Sequence, residues 1–352
     1  MGNTMKAYAL TGAKQWAVQE LPIPAVTAPD EVLVKTKAVG VCGSDLEAWR
    51  GAHAHVQYPA VIGHEVVGEV VAVGEAVTDL KPGDRVAKES IEYCGKCYAC
   101  RHGQPNVCRE LKVWGFELDG GNREYFTSKA DKLHRFSESI DWKYAAMIEP
   151  YTIAAQVNAR ANTQAGDIVL VHGLGPAGLA IADWAKRLGA VVVGSDMVPK
   201  RLELAKAFGI DHVVNAKEQD INKVVMELTG GEGANVIIEA AGVPVLLEQA
   251  PALISPAGRI VPITFNFNPT GISSGLINAK EASIIGSRLQ VNKFPEMIRH
   301  LDEHLEHIKL LVTHVLPKEK IAEAFELAAS RSPDVGKVVV SFEEENEVEK
   351  ND

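Results

Sequence analysis

The spacing of apolar residues changes in character along the chain. Up to about residue 150 the apolar positions fall in short alternating runs, such as residues 31–37 and 66–73, separated by turn sequences such as Lys-Pro-Gly-Asp at 81–84. Alternation with a period of two is typical of strands with one exposed face. The first part of the chain is therefore predicted to form a β-rich, barrel-like domain.

From Asp167 onward, continuous β-branched runs alternate with segments of helical periodicity. Residues 168–172 predict a buried strand, and residues 179–188 predict a helix. Repetition of this unit predicts an α/β fold with a doubly wound parallel sheet. The further predicted elements are strands at 191–194, 212–215, 236–239 and 259–263 and helices at 201–208, 221–229 and 245–254.

The last part of the chain is predicted to return to the first domain, because the strands before it already complete a sheet of six. It contains helices at 295–304 and 321–330 and a strand at 337–341. The predicted limits are residues 1–153 for the β-rich domain, with a cysteine lobe at 92–110, residues 154–290 for the sheet domain, residues 291–342 for the return and residues 343–352 for an acidic tail.

Composition and charge exclude several classes of protein. A chain of 352 residues is longer than one hydrophobic core usually organises, and 46% hydrophobic with 23% charged residues is typical of a globular protein rather than a disordered one. The net charge is −10, and half of it lies in the tail at 343–352. Such a surface offers no positive field for phosphate backbones, so we expect no nucleic-acid partner.

No apolar stretch has the length and composition of a membrane span, and the N-terminal residues contain no charged-then-apolar signal sequence. We therefore expect a cytoplasmic protein with no membrane partner.

Four of the five cysteines follow a metal-binding spacing. Cys94, Cys97, Cys100 and Cys108 form Cys-x2-Cys-x2-Cys-x7-Cys in a loop without apolar periodicity. The short spacings let two thiolates reach one ion from a tight turn, and the longer return supplies the fourth corner of a zinc tetrahedron. Iron–sulfur sites also begin with two x2 spacings, but they close with x3 and a proline, whereas Arg109 follows Cys108 here. We therefore predict a structural zinc site.

A second metal site is predicted around the fifth cysteine. Cys42 lies in the sequence Gly-Val-Cys-Gly-Ser-Asp, and His64 and Glu65 end an apolar run. Glu149, before a proline, is a second acidic candidate. Three protein ligands of mixed type that leave one position open are typical of catalytic zinc. The ligand set is Cys42 and His64 with either Glu65 or Glu149.

A glycine-rich turn joins the predicted strand at 168–172 to the predicted helix. Gly173, Gly175 and Gly178 form Gly-x-Gly-x-x-Gly, with Pro176 and Ala177 inside the motif. The first glycine permits the tight turn, the second lets a pyrophosphate approach the backbone, and the third lets the helix pack close to the strand. The helix N-terminus then faces the phosphates, which predicts a dinucleotide-binding site.

An acidic residue follows the next predicted strand at the position that binds ribose in such folds. Asp196 comes eighteen residues after Gly178, and its carboxylate can accept hydrogen bonds from the ribose hydroxyls while repelling a 2′-phosphate. This favours NAD over NADP. Lys200 and Arg201 lie nearby and leave NADP open, and Arg201 is counted among the predicted cofactor-binding residues.

Taken together, these motifs resemble the zinc-dependent medium-chain dehydrogenases, the alcohol and sorbitol dehydrogenase family. The resemblance implies a GroES-like catalytic domain, a Rossmann NAD-binding domain, two zinc ions per subunit and hydride transfer from an alcohol to NAD. Glu149 stands where the sorbitol branch has a carboxylate and other alcohol dehydrogenases have a cysteine. The motifs are Gly-Val-Cys-Gly-Ser-Asp at 40–45, Gly-His-Glu at 63–65, the cysteine lobe, Met-Ile-Glu-Pro at 147–150 and the glycine-rich turn at 173–178.

Two segments, residues 147–155 and 287–295, resemble the sugar-acid members more narrowly, which oxidise hexonates such as L-galactonate, L-gulonate or L-idonate. This likeness implies that Arg288 or Lys293 pairs with the substrate carboxylate, unless these residues are only surface or interface charges. The enzymatic alternative is another secondary alcohol, a vicinal diol or L-threonine. A non-catalytic NAD-binding sensor is the alternative of another class, but a sensor does not need an open metal site.

The resemblance also implies roles for residues near Cys42. Ser44 matches the hydroxyl that passes the alcohol proton towards the cofactor ribose. Glu47 stands where many members have a relay histidine, so it is either a base or an exposed residue, and His53 and His55 are interpreted as ordinary loop residues. The family's dimers and tetramers imply a homo-oligomer, with the strand-like residues 282–286 as a contact. The aromatic candidates for the substrate pocket are Trp49, Tyr93, Trp114 and Phe116, although packing is their commoner role.

Overall fold

The computed structural model describes residues 3–330 and 332–344, so most of the predicted acidic tail, residues 345–352, lies outside the described residues. The chain forms two compact units. The first consists of Met1–Glu149 with Phe294–Asp352, and the second of Pro150–Lys293. The sequence predicts these two domain boundaries between residues 153 and 154 and between residues 290 and 291.

The N-terminal part of the first unit is rich in short strands, as the alternating pattern predicts. A β1–β2 hairpin stands apart from the main sheet, and β6 pairs with β7 beside the cysteine lobe. The strands are β1 (Thr4–Gly12), β2 (Gln15–Pro22), β3 (Glu31–Gly40), β4 (Glu65–Val73), β5 (Arg85–Lys88), β6 (Ile91–Glu92), β7 (Lys112–Val113), β8 (Tyr125–Lys129) and β9 (Leu133–Arg135). The helices are α1 (Gly43–Trp49), α2 (Tyr98–Arg101) and α3 (Trp142–Ala145).

The second unit contains a six-stranded parallel sheet in the order β12-β11-β10-β13-β14-β15, which confirms the predicted doubly wound fold. Its strands are β10 (Ile168–His172), β11 (Val191–Asp196), β12 (His212–Asn215), β13 (Ala234–Glu239), β14 (Ile254–Pro262) and β15 (Ser283–Ile284). Its helices are α4 (Ile148–Ala161), which begins two residues before the unit, α5 (Pro176–Arg187), α6 (Pro199–Ala207), α7 (Ile221–Leu228), α8 (Pro244–Leu253) and α9 (Ser274–Lys280).

The chain then returns to the first unit. The returning elements are α10 (Phe294–Lys309), β16 (Val312–Pro317), α11 (Ile321–Ala329) and β17 (Lys337–Ser341). Strand β17 pairs antiparallel with β3 and parallel with β16, which extends the sheet to the order β16-β17-β3-β4-β5-β9, with β8 also paired to β3. The final strand therefore lies next to the strand that leads to Cys42.

Several elements differ from the sequence prediction. Helices α4 and α9 are not among the predicted elements, and β14 begins five residues before its predicted start at 259. Helix α10 continues beyond its predicted end at His304, where the backbone is non-helical, because Ile308 is buried one turn later. Strand β15 has only two residues, both exposed, instead of the predicted five at 282–286. The cysteine lobe contains the short helix α2 rather than only loop. No helix in the described part of the chain has the length and apolar character needed to span a bilayer.

Candidate active site

The pairing of β3 with β4 brings Cys42, His64 and Glu65 together. Gly40 at the end of β3 lies opposite Glu65 at the start of β4, so the residues that flank these ends share one edge of the sheet. One ligand atom from each of the three residues lies within 4.8 Å of the others, and His64 and Glu65 are buried. We call this set the Cys–His–Glu group. The three donors are a thiolate, an imidazole and a carboxylate, all of which are ligand types that zinc binds in proteins.

Asp45 orients two members of this group, a role that sequence reasoning missed. Its Oδ2 accepts a hydrogen bond from the backbone N–H of Cys42 at 3.0 Å, and its Oδ1 lies 3.3 Å from Nδ1 of His64 as an ion-pair contact. Although burial opposes it, the charges of Asp45 and Cys42 raise the pKa of His64 well above its ordinary value. With Nδ1 turned to Asp45, Nε2 is the nitrogen that remains for a metal.

Lys337 from β17 neutralises the third member. Its Nζ donates to both carboxylate oxygens of Glu65, at 2.6 and 2.7 Å, and to the carbonyl oxygen of Val41 at 3.3 Å. Lys337 is 5% exposed and Glu65 is 1% exposed, and the carboxylate raises the pKa of the lysine against the effect of burial. This ion pair fixes Glu65 beside Cys42 and His64.

We expect Lys337→Met to lower the free energy of unfolding of the metal-free protein by about 3 kcal/mol, since removal of one partner leaves a buried, uncompensated carboxylate. Zinc should restore part of this loss, because the cation replaces the ammonium as a partner of Glu65. Denaturant titrations of wild type and variant, each with and without zinc, measure both effects. Lys35→Met, which removes a surface ion pair, is the control. Equal losses in the two variants would contradict the assigned role of Lys337.

Glu149, the other predicted carboxylate ligand, lies next to the Cys–His–Glu group but not within it. It stands in the first turn of α4 and is buried. Burial raises its pKa to about 7, with His64 opposing and Glu65 adding to the rise. A carboxyl group with this pKa can hold or release a proton near neutral pH. The structure therefore groups Glu65 with Cys42 and His64, and Glu149 stays a predicted ligand.

The two predicted relay residues lie on α1. Ser44 is half-buried and directly precedes Asp45. Glu47 is exposed, and its Oε1 lies 3.4 Å from Nη1 of Arg50. The ion pair with Arg50 accounts for the position of Glu47 on the helix surface, and its part in a proton relay stays a prediction.

Of the four aromatic candidates for the pocket, only Phe116 contacts a member of the Cys–His–Glu group. Its ring centroid lies 5.3 Å from that of His64. Trp49 and Trp114 are instead buried in the core of the first unit. Tyr93 lies under the ammonium group of Lys132 at 4.3 Å. Packing in the core explains Trp49 and Trp114, whereas Tyr93 is exposed and contacts Lys132.

The four cysteines of the lobe also form one group, the four-cysteine group, with sulfur atoms within 4.8 Å of one another. Backbone N–H groups of Cys94 and Glu110 donate to the sulfur of Cys108 at 3.4 and 3.2 Å. The pKa of Cys97 is lowered to about 6, chiefly by backbone N–H groups of Cys100 and Arg109. Burial and the neighbouring sulfur atoms instead raise the pKa of Cys100. Four sulfur donors within reach of one ion fit a closed structural zinc site.

The three glycines of the turn at 173–178 differ in backbone conformation and in surroundings. Gly173 has φ +88°, which a side chain rarely adopts, and a Cβ at Gly178 would overlap the carbonyl oxygen of Gly173. A Cβ at Gly175 would meet no atom within 4 Å, so open space borders this part of the backbone. The predicted approach of a pyrophosphate requires such open space, and pyrophosphate binding at Gly175 stays a prediction.

Two alanine substitutions should separate packing from ligand approach. Gly178→Ala is expected to lower the free energy of unfolding by about 1–3 kcal/mol, because the added methyl overlaps the backbone of Gly173. Gly175→Ala should leave stability within about 0.5 kcal/mol of wild type and weaken NAD binding, because the methyl enters the open space. Thermal unfolding and NADH fluorescence titration measure the two quantities. A Gly175→Ala variant that binds NADH as wild type does would argue against this site.

Asp196 is anchored beside this turn. Its Oδ2 accepts the N–H of Leu174 at 2.8 Å, and its Oδ1 accepts the N–H groups of Met197 and Val198 at 2.7 and 2.9 Å. Arg201 lies 3.4 Å from Oδ2, so the predicted cofactor-binding arginine pairs with the predicted ribose-binding carboxylate. These contacts hold an acidic group at the carboxyl end of β11, next to the glycines.

Glu239, which sequence reasoning did not select, shapes the neighbouring loop. It ends β13 and is buried, with Oε1 accepting the N–H groups of Ala241 and Gly242 at 2.9 and 2.7 Å and Oε2 accepting the hydroxyl of Thr264 at 3.0 Å. Ala241 is the backbone against which a side chain at Gly173 would collide. Glu239 therefore fixes the loop that borders the glycine-rich turn.

The predicted substrate residues Arg288 and Lys293 lie in the second unit. The guanidinium group of Arg288 is 6.0 Å from the ring centroid of Phe265, and the backbone N–H of Lys293 donates to Oε1 of Gln290 at 2.8 Å. Both residues are partly exposed. Their contact with a substrate stays a prediction.

Known proteins are similar over nearly the whole chain. Residues 28–138 match the family model "Alcohol dehydrogenase GroES-like domain", and residues 176–303 match "Zinc-binding dehydrogenase". The chain is 39% identical over 342 residues to the starvation-sensing protein RspB of Escherichia coli K12, covering 97% of this chain and 100% of that protein. It is 33% identical over 344 residues to sorbitol dehydrogenase of Bacillus subtilis 168, with coverages of 96% and 97%. It is also 33% identical over 328 residues to L-galactonate-5-dehydrogenase of Escherichia coli K12, with coverages of 93% and 95%.

A crystal structure of an E. coli CFT073 protein, described as a short chain alcohol dehydrogenase (rspB) complexed with NADH, is similar with a TM-score of 0.90 and 38% identity, covering 97% of this chain and 100% of that one. The predicted GroES-like and Rossmann architecture is confirmed. The predicted cofactors, zinc and NAD, are confirmed, since the matching family model is that of a zinc-binding dehydrogenase and this relative is complexed with NADH. The chain belongs to the zinc-dependent medium-chain dehydrogenases, the family of the alcohol and sorbitol dehydrogenases.

Proposed function

We propose that this protein is an NAD-dependent zinc dehydrogenase that oxidises a secondary alcohol of a sugar acid or polyol. The observation that carries the proposal is the Cys–His–Glu group, because three protein donors of mixed type are typical of a zinc ion whose fourth position binds a substrate. The open backbone at Gly175 in the second unit supplies the dinucleotide site. A non-catalytic NAD sensor has no use for the first of these sites.

In this proposal, zinc supplies a Lewis acid that makes a substrate hydroxyl more acidic, and NAD supplies the hydride acceptor. Asp45 holds Cys42 and His64 in place, and Lys337 holds Glu65. Ser44 accepts the proton of the hydroxyl and gives up its own hydroxyl proton to a further acceptor in the same step, so that it stays neutral. The chain's own contribution is thus to fix the donors and to remove a proton.

Glu149 has the buried position and the pKa near 7 needed to take a proton in turn. Glu149→Gln followed by zinc analysis separates the two roles open to this residue. A ligand would lose zinc, whereas a proton acceptor would keep zinc and change the pH–rate profile.

NAD is proposed rather than NADP because the carboxylate of Asp196 stands beside the glycine-rich turn. A 2′-phosphate at that position would meet the negative charge. The partner in the reaction is a small alcohol or ketone, and we propose a homodimer or homotetramer as the assembly.

The substrate class is supported by two relatives, which are named as sorbitol and L-galactonate dehydrogenases. It is also supported by the likeness of residues 147–155 and 287–295 to sugar-acid members. The purified protein with NAD should reduce the cofactor with hexonates or hexitols faster than with butanediol or threonine. Faster turnover of butanediol or threonine would favour the other secondary alcohols. No turnover of any of them by zinc-loaded, NAD-binding protein would favour the sensor.

Kinetics with a carboxylate-bearing substrate should show whether Arg288 and Lys293 bind the substrate or are only surface charges. We expect Arg288→Gln or Lys293→Gln to raise KM for a hexonate by about tenfold, as for loss of a hydrogen bond between charged groups, and to leave KM for the matching hexitol within about twofold. Steady-state kinetics with both substrates test this. Equal effects on the acid and the hexitol would exclude a contact with the carboxylate.

A further inference from the structure

Two stacked rings, those of His53 and Phe116, lie beside the Cys–His–Glu group. Their centroids are 4.1 Å apart with an angle of 22° between the planes, and the ring of Phe116 also lies 5.3 Å from that of His64. The half-buried imidazole of His53 interacts electrostatically with both Asp45 and His64. His53 therefore belongs to the surroundings of the metal-binding residues, unlike the ordinary loop residue that the sequence indicated.

The hydrogen bonds of His53 leave one ring nitrogen available. Its Nδ1 accepts the backbone N–H of His55 at 3.3 Å. Burial and the neighbouring imidazole of His55 lower the pKa of His53, which keeps the ring neutral. A neutral imidazole that accepts at Nδ1 carries its proton on Nε2. Within residues 3–330 and 332–344, no group forms a hydrogen bond with Nε2 of His53.

His55, two residues later, has the exposure and the contacts of an ordinary loop histidine. Its side chain is 60% exposed, and its Nδ1 lies 3.3 Å from Oε1 of Glu117. Its ring is tilted by 62° to that of His53 at a centroid distance of 5.9 Å. The two histidines thus differ in burial and in partners, although they share one loop.

We propose that His53 is a specificity-determining residue that donates a hydrogen bond from Nε2 to a hydroxyl next to the carbon that is oxidised. This inference rests on the proposed function and narrows its substrate class to compounds with neighbouring hydroxyls. The stack on Phe116 holds the imidazole in one orientation, so little side-chain entropy is lost when a substrate binds. A neutral donor suits a hydroxyl better than a carboxylate, which the proposal assigns to other residues.

The test compares substrates that differ in one hydroxyl. The wild type is first assayed with 2,3-butanediol, sorbitol and L-galactonate, and the compound oxidised fastest is paired with its analogue in which hydrogen replaces the neighbouring hydroxyl, such as 2-butanol for butanediol. His53→Phe keeps a ring that can stack on Phe116 but removes the donor. We expect it to lower kcat/KM for the hydroxylated compound by about tenfold, mainly through KM, and to change that for the analogue less than twofold.

Two further variants complete the design. His53→Gln, whose amide nitrogen can replace Nε2, should recover part of the loss. His55→Gln removes the neighbouring imidazole but keeps the backbone N–H that Nδ1 of His53 accepts, and burial is the main cause of the lowered pKa of His53, so this variant should stay within about twofold of wild type. Zinc content and NADH affinity should be equal in all of them, which excludes damage to the metal and cofactor sites. An equal loss on both compounds, or no loss, would overturn the role of His53 while leaving the proposed function intact. If the wild type oxidises none of the compounds, the proposed function fails and the inference fails with it.

Discussion

Cys42→Ala is expected to lower kcat/KM by about a thousandfold or more. The variant loses the sulfur ligand of the Cys–His–Glu group, and the Lewis-acid contribution of a catalytic metal is several kcal/mol, of which about 4 kcal/mol corresponds to this factor. The fold should persist, because Cys42 is only partly buried and forms no disulfide. Steady-state kinetics with the best alcohol substrate measure the loss.

The zinc content of Cys42→Ala shows whether the loss of kcat/KM results from the loss of a metal ligand. Elemental analysis should find two zinc ions per chain in the wild type and one in Cys42→Ala, with a melting temperature within a few degrees of wild type. A variant that keeps both ions and loses activity would place Cys42 outside the metal site. A variant that turns over normally would remove the basis of the proposed function.

Cys97→Ala should have a large loss of stability, in contrast to Cys42→Ala, which should lose activity and keep its stability. Cys97 belongs to the four-cysteine group, and the lobe around it has little apolar core of its own, since no residue of α2 is buried. Loss of a structural metal is among the few single changes that cost on the order of 4–5 kcal/mol, which corresponds to a fall of about 6 °C in Tm for a chain of this length. Differential scanning calorimetry gives this value.

Activity at low temperature provides the internal control for this variant. Folded Cys97→Ala should keep the zinc of the Cys–His–Glu group and most of its kcat, because the two groups use separate ligands. Retention of two zinc ions with an unchanged Tm would show that Cys97 is not a metal ligand. The comparison of Cys42→Ala with Cys97→Ala therefore assigns each ion to its site.

The sequence predicts those features that depend on neighbours along the chain. The x2 spacings of the cysteines, the glycine-rich turn and the β-branched runs each specify a local conformation, and the structure contains the four-cysteine group, the open turn and the parallel sheet at those positions. The family resemblance is likewise carried by such local motifs. These parts of the fold need no knowledge of distant contacts.

Features that depend on distant residues could not be predicted. Glu65 and Lys337 are 272 positions apart, and only the pairing of β17 with β3 brings them into contact. The packing of Trp49 in the core, rather than in a pocket, depends on Phe325 from the returning segment. His53 was not selected because its stack on Phe116 joins two loops whose sequences contain no sign of the contact.

The position of Lys337 affects the order in which the protein can mature during synthesis. A nascent chain that has emerged from the ribosome as far as the second unit already contains Cys42, His64 and Glu65, but not the ammonium group that balances Glu65. Until β17 is made, the carboxylate must stay hydrated or find another cation, so the first unit cannot close around its dry interior. Final closure of this unit therefore follows the synthesis of β17.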